Sequence, residues 1–316
     1  MSPVLLQQSP LEVRLQRDQC CLTAFHIIDH FALLYYIAAE SRDVVGMKDS
    51  WKKKYIRYLP LYGCLSTGLV YFSIGVIAIL SFLKLKDGGA DESSLLAFLH
   101  ESLAGKILFW VILTGTVCYI LWRIFETITD PYEYGNNAIG ISRRTGIAMS
   151  TIPDILIVMT AIQVLSGTGN IQIDGQPLAQ RELVADMLQK GWGRAAVIGI
   201  GVIVMLTALV QFYYGITRGY KERLGIADFS HGFKKFVHAL AWAGYSGRGV
   251  IVGIIGFFLI KAGIEMSAEY TVNTDKAFDF VGDHVGHVYF ILLAAATICY
   301  GLFMFILGIT YDADKG

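Results

Sequence analysis

The stretch LYGCLSTGLVYFSIGVIAILSFL runs from Leu61 to Leu83 without one charged side chain. A helix of about 20 apolar residues is what crosses the roughly 30 Å hydrocarbon layer of a bilayer. Five further runs are similarly long and predominantly apolar: Ile107–Ile128, Gly146–Leu165, Ala195–Ile216, Leu240–Ala262 and Val288–Thr310. Inside lipid every backbone N–H and C=O needs an internal partner, so runs of this length are helices. The strict alternation of membrane β-strands is absent from them. The sequence therefore predicts an all-α membrane protein with six transmembrane helices.

Composition agrees. The chain is 54% hydrophobic and 16% charged, against about 25% charged residues in a soluble domain. Mean hydropathy is +0.52. Lys plus Arg and Asp plus Glu are 26 each. No bulk basic field then favours nucleic acid, and no nucleic-acid partner is expected. The cysteines Cys20, Cys21, Cys64, Cys118 and Cys299 lack the spacing of a disulfide framework or a zinc site. In apolar runs a thiol behaves as a small hydrophobe.

Orientation is read from Lys and Arg. Arg42, Lys48, Lys52, Lys53, Lys54 and Arg57 precede the first run; Arg143 and Arg144 follow the second; Arg218, Lys221, Arg223, Lys234 and Lys235 follow the fourth. The alternate loops hold fewer: Lys84, Lys86, Arg181, Lys190 and Lys276. The positive-inside rule places both termini in the cytoplasm. Residues 1–57 read as an N-terminal extension: an amphipathic segment with His26, Asp29 and His30, then a basic leader, within which Met47 is a candidate start.

The runs pair into hairpins over residues 58–130, 141–220 and 236–311. A shift of 181 residues lays the first over the third without a gap. Gly63, Gly68 and Gly75 then meet Gly244, Gly249 and Gly256, while Thr116, Cys118 and Tyr119 meet Thr297, Cys299 and Tyr300. The middle hairpin fits less well, with Gly146 in the place of Gly63. Two spans per unit return the chain to one side, so the repeats are parallel. Gly253 extends the glycine face of the fifth run, and small residues at such positions let helix backbones approach in lipid.

The segments Tyr62-Gly63-x4-Gly68-Leu69-Val70-Tyr71-x3-Gly75 and Gly244-Tyr245-Ser246-Gly247-Arg248-Gly249-Val250-x5-Gly256, with Gly105-x9-Gly115-x3-Tyr119-x2-Trp122-Arg123, resemble the bacterial domain-of-unknown-function 1206 family. The resemblance implies repeated two-helix membrane hairpins, commonly three, in a bacterial plasma (inner) membrane. It implies no activity, so no catalytic residue is carried over.

Ionisable groups within spans are costly and mark candidate sites. Asp154, Arg248, Gln163 and Lys261 form the candidate intramembrane polar set. Asp154 and Arg248 stand at similar depths, so they are expected either to pair or to reach separately for the interface. Lys261 and Glu265 have the spacing of a helix-end ion pair. Arg123 and Glu126 read as interfacial, and Tyr55, Tyr58, Tyr62, Trp110, Trp122, Tyr213 and Tyr214 as a membrane-rim belt. No nucleophile elbow, zinc-protease helix, phosphate loop or dinucleotide fingerprint is present in the sequence. The chain is therefore expected not to be an enzyme, and no metal or cofactor is expected. Two function classes fit: a membrane module that binds a lipid or a membrane-protein partner, self-association included, and a small-molecule carrier or channel with a pathway along a pseudo-three-fold axis.

Overall fold

The structure, a computed structural model, describes residues 49–311 except 84–88, 92–93, 97–98, 100–102, 130–133, 150, 167–176 and 227–228. The expected amphipathic segment, the histidines within it and the candidate start at Met47 lie outside the described residues. Among the described residues there are nine α-helices: α1 (Asp49–Phe82), α2 (Leu103–Thr129), α3 (Ala138–Met149), α4 (Ile152–Ser166), α5 (Leu178–Leu188), α6 (Gly193–Thr217), α7 (His231–Glu265), α8 (Thr274–His284) and α9 (His287–Ile309).

Five stretches are long and apolar enough to cross a membrane: Pro60–Phe82, Gly105–Ile128, Gly193–Thr217, His231–Glu265 and His287–Ile309. Their outward faces carry exposed Ile107, Leu209, Ile216, Trp242, Val288 and Ile309, a surface suited to acyl chains. The run expected at Gly146–Leu165 is divided instead. α3 ends at Met149 and α4 begins at Ile152, because Pro153 has no N–H to give back to the carbonyl four residues earlier. The 15 residues of α4 span about 22 Å at 1.5 Å each.

The helices pack in a defined order. α2 lies on α1, α1 on α9, α9 on α7 and α7 on α6, while α2 also receives α3 and α4. Glycines set the closest of these approaches. A Cβ on Gly63 would lie 2.7 Å from Tyr119 Cα, and one on Gly244 would lie 2.6 Å from Tyr300 Cα. Gly68 and Gly75 face the Gly301 and Ala294 carbonyls of α9, each 2.9 Å from such a Cβ. Gly249 and Gly256 face Phe212 and Met205 of α6 at 2.9 Å. Gly253 is looser, with Ala208 Cβ at 3.6 Å. The two faces match residue for residue across the sequence repeat.

Contacts between distant segments define two ends of the bundle. At one, Arg144 donates from Nε to the Thr127 carbonyl at 2.8 Å, and Gly225 N–H to the Thr310 carbonyl at 2.7 Å. Leu224 and Tyr311 form an isolated antiparallel bridge there. At the other, Ala90 N–H donates to Asp275 at 2.6 Å, and Arg181 Nε to the Thr271 carbonyl at 3.4 Å.

Candidate functional site

Gly244 brings the α9 backbone against α7 at Tyr300, and one turn further along α7 stands Arg248, 5% exposed. Its guanidinium lies over two rings, Tyr71 of α1 at 4.8 Å and Tyr300 of α9 at 4.9 Å. Nη1 donates to the Tyr300 hydroxyl. Tyr71 and Tyr300 themselves meet edge to face at 5.0 Å. Electron-rich ring faces stabilise a cation where water is excluded.

Asp154 completes this centre. It sits in the first turn of α4, where free backbone N–H groups and the helix dipole favour a carboxylate. It is 1% exposed, and its Oδ1 lies 3.9 Å from Arg248 Nη2. The two residues thus meet, both buried within the protein. At 3.9 Å the attraction is ionic and too long for a hydrogen bond. Neither Asp154 oxygen, nor Nε or Nη2 of Arg248, makes a hydrogen bond to the described residues.

Arg123 and Glu126, read as interfacial, belong to a second cluster buried within the protein at one end of the bundle. Arg123 is 7% exposed and Glu126 1%. Glu126 accepts from Arg123 Nη1 at 3.1 Å and from the Tyr311 hydroxyl at 3.2 Å, and forms an ion pair with Arg223, whose Nε lies 3.1 Å away. Arg223 also donates to the Tyr214 hydroxyl at 2.7 Å, and Arg123 lies 5.3 Å from the Tyr119 ring centre. One carboxylate therefore ties α2 to the 219–223 turn and to the end of α9. Trp122, expected in the rim belt, is buried within the protein, edge-on to Tyr311 at 5.7 Å.

Of the remaining candidates, Lys261 joins neither cluster. Lys261 Nζ lies 4.3 Å from the centre of the Tyr270 ring. No ion pair between it and Glu265 is present among the described residues. The side chain of Gln163 lies outside the described residues. His287 packs on Phe82 at 5.5 Å and His284 on Phe280 at 4.6 Å. Sequence reasoning missed Arg223 and Tyr311 as partners of Glu126. Arg223 counted only as a basic loop residue, and the remaining signal was the i, i+3 spacing of Arg123 and Glu126.

Residues 62–130 and 243–311 each match the model of one family, described as Domain of Unknown Function (DUF1206). Two segments of this chain belong to the DUF1206 family. The matched segments are offset by the same 181 residues as the glycine pattern. They hold Tyr71, Arg123, Glu126, Arg248, Tyr300 and Tyr311, whereas Asp154 and Arg223 lie between them. The chain is also 26% identical over 262 residues to an uncharacterized protein, YxxB, of Bacillus subtilis (strain 168), across 81% of this chain and 92% of the relative. No solved structure matches.

Proposed function

We propose that this DUF1206 chain is a non-enzymatic, multi-pass plasma-membrane protein of three parallel hairpins, and that a polar ligand binds at the axis between them. The observation that carries the reading is the origin of the Arg248 centre. Tyr71 comes from the first hairpin, Asp154 from the second, and Arg248 and Tyr300 from the third. Tyr71 stands eight residues after Gly63, and Asp154 eight after Gly146, so they fill one register position of the repeat. Side chains from equivalent positions of successive units converge only near a common axis.

The packing order supports the same arrangement. The second helix of each unit touches the first helix of the next: α2 meets α4, α6 meets α7 and α9 meets α1. Within the second unit it is α3 that touches α6, and this order favours a ring of the three units. A sixth crossing is supported by the two ends of the bundle. α2 finishes beside Arg144 and Arg223, whereas α6 starts beyond Arg181, which binds the Thr271 carbonyl at the opposite end. In this reading α3 and α4 make the crossing between the two ends. Placement of both termini in the cytoplasm rests on the Lys and Arg bias.

This arrangement favours the carrier reading over an inert scaffold, because buried charges are costly and a purely structural ring does not need them. The Glu126 cluster then closes the basic end over the axial centre. A membrane-partner reading keeps support from α6, whose buried residues line one side while Ile200, Ile203, Leu206, Leu209 and Tyr213 stay exposed. Thermal unfolding of the full chain in neutral detergent, run against a broad panel of small cations, anions, zwitterions and sugars, tests the axial reading. A solute that raises the midpoint of the wild type but not of an Asp154→Asn, Arg248→Gln double variant is expected. If no compound separates the two proteins, the axial-ligand reading is wrong.

A further inference from the structure

From the pairing of Asp154 with Arg248 we infer the class of that ligand: a small zwitterion that joins a protonated amine to an oxyanion. The inference rests on the axial reading above and goes beyond it in naming both charges. Asp154 and Arg248 are each more than nine-tenths buried, yet they stand at 3.9 Å with both carboxylate oxygens, Nε and Nη2 making no hydrogen bond to the described residues. A buried polar atom left without a hydrogen bond is costly to the fold, and native interiors hold few of them. Four such atoms on two facing, opposite charges form a site built for a molecule that carries both signs.

The division of roles follows from donor and acceptor chemistry. An ionised carboxylate only accepts, so Asp154 takes the N–H groups of an ammonium; a guanidinium only donates, so Arg248 takes the oxyanion. Nη1 is already engaged with the Tyr300 hydroxyl, and the Tyr71 and Tyr300 rings hold the guanidinium plane. Nε and Nη2 remain, and these two form one edge of the fork that grips two oxygens of a carboxylate or phosphate. A ligand with only one charge would leave the other residue's polar atoms buried without hydrogen bonds. Free amino acids, phosphoethanolamine and the headgroup of an aminophospholipid all carry the required pair.

The test uses the full chain in neutral detergent, with glycine, phosphoethanolamine, acetate, inorganic phosphate and ethanolamine as probes. Glycine or phosphoethanolamine should raise the unfolding midpoint with the logarithmic concentration dependence of a bound ligand, and the three singly functional probes should not. Asp154→Asn and Arg248→Lys should each weaken that binding by about tenfold or more. Arg248→Lys keeps the charge and supplies the second variant should Asp154→Asn fail to fold. Nanodiscs separate the sources. If phosphatidylethanolamine discs suppress the binding seen in phosphatidylcholine discs, the headgroup occupies the site; if binding is equal in both, a free solute does. Equal protection by acetate, phosphate or ethanolamine overturns the inference, as does protection by none of the five. In that case the axial reading still stands or falls on the broad panel.

Discussion

Glu126 is the residue on which most of the polar order at the basic end depends. Its carboxylate, 1% exposed, accepts from Arg123 and the Tyr311 hydroxyl and forms an ion pair with Arg223. Removing one member of a buried ionic network leaves the other charges without compensation, at about 3–5 kcal/mol. Glu126→Gln should therefore lower the unfolding midpoint in detergent more than Tyr311→Phe, which deletes a hydrogen bond to a charged group worth about 1.5–3 kcal/mol. Equal shifts would show that the arginines do not depend on this carboxylate. At the opposite end Asp275 behaves differently. Burial is the main cause that raises its carboxyl from 3.8 to about 6, with Asp279 and Asp91 adding to it and the Ala90 N–H and Lys276 opposing. The folded chain thus holds a proton that the unfolded chain has released between pH 4 and 6. Stability from this group falls as pH rises through that window, and the whole cost, at most about 3 kcal/mol, is present above pH 6. Asp275→Asn keeps an acceptor for Ala90 N–H and should flatten the midpoint between pH 4 and 7. An unchanged slope would assign the dependence to another group.

Among the helices, the glycines divide into those that permit contact and those that merely accompany it. A methyl at Gly244 would sit 2.6 Å from a backbone atom of α9, whereas one at Gly253 would sit 3.6 Å from a side-chain methyl. Gly244→Ala should therefore lower the midpoint by forcing α7 away from Tyr300. Gly253→Ala should leave it level or raise it slightly, since alanine favours a helix over glycine by about 1 kcal/mol. A similar loss at both positions would mean that helix approach is not what Gly244 provides. These packing faces were legible in the sequence, because the glycines recur at a fixed shift and bulk at close helix crossings is excluded. The five long helices were legible for the same reason that makes hydropathy informative: in lipid an apolar run has no alternative to the helix. The divided run was not read, although Pro153 marks it, because hydropathy averages over a break of two or three residues. The Glu126 cluster was invisible for a different reason. Its partners lie some 100 and 185 residues away, and an arginine such as Arg223 counts equally as a topology marker and as a buried ligand until the fold joins the segments.

The whole molecule is decided by how many times the chain crosses. α2 ends at Thr129, and the Thr127 carbonyl close to that end accepts Arg144. α6 begins at Gly193 and ends at Thr217, and the turn that follows brings Arg223 to Glu126, so its start lies at the other end. In the proposed six-span arrangement the chain between α2 and α6 travels the length of the bundle. α4 alone is about 22 Å long, short of the roughly 30 Å core, so in that arrangement α3 contributes part of the crossing. Side-chain labelling tests this with single cysteines at Asn137, Glu182, Gly232 and Asp283, in a background in which the five native cysteines are replaced. An impermeant maleimide added to spheroplasts should reach positions 182 and 283, and should reach 137 and 232 only after the membrane is opened. That pattern requires a crossing between 137 and 182, and it places the arginine-rich connections inside, as their charge demands. If positions 137 and 182 label from the same side, α3 and α4 do not cross, and the three-hairpin ring with its axial Asp154 cannot stand.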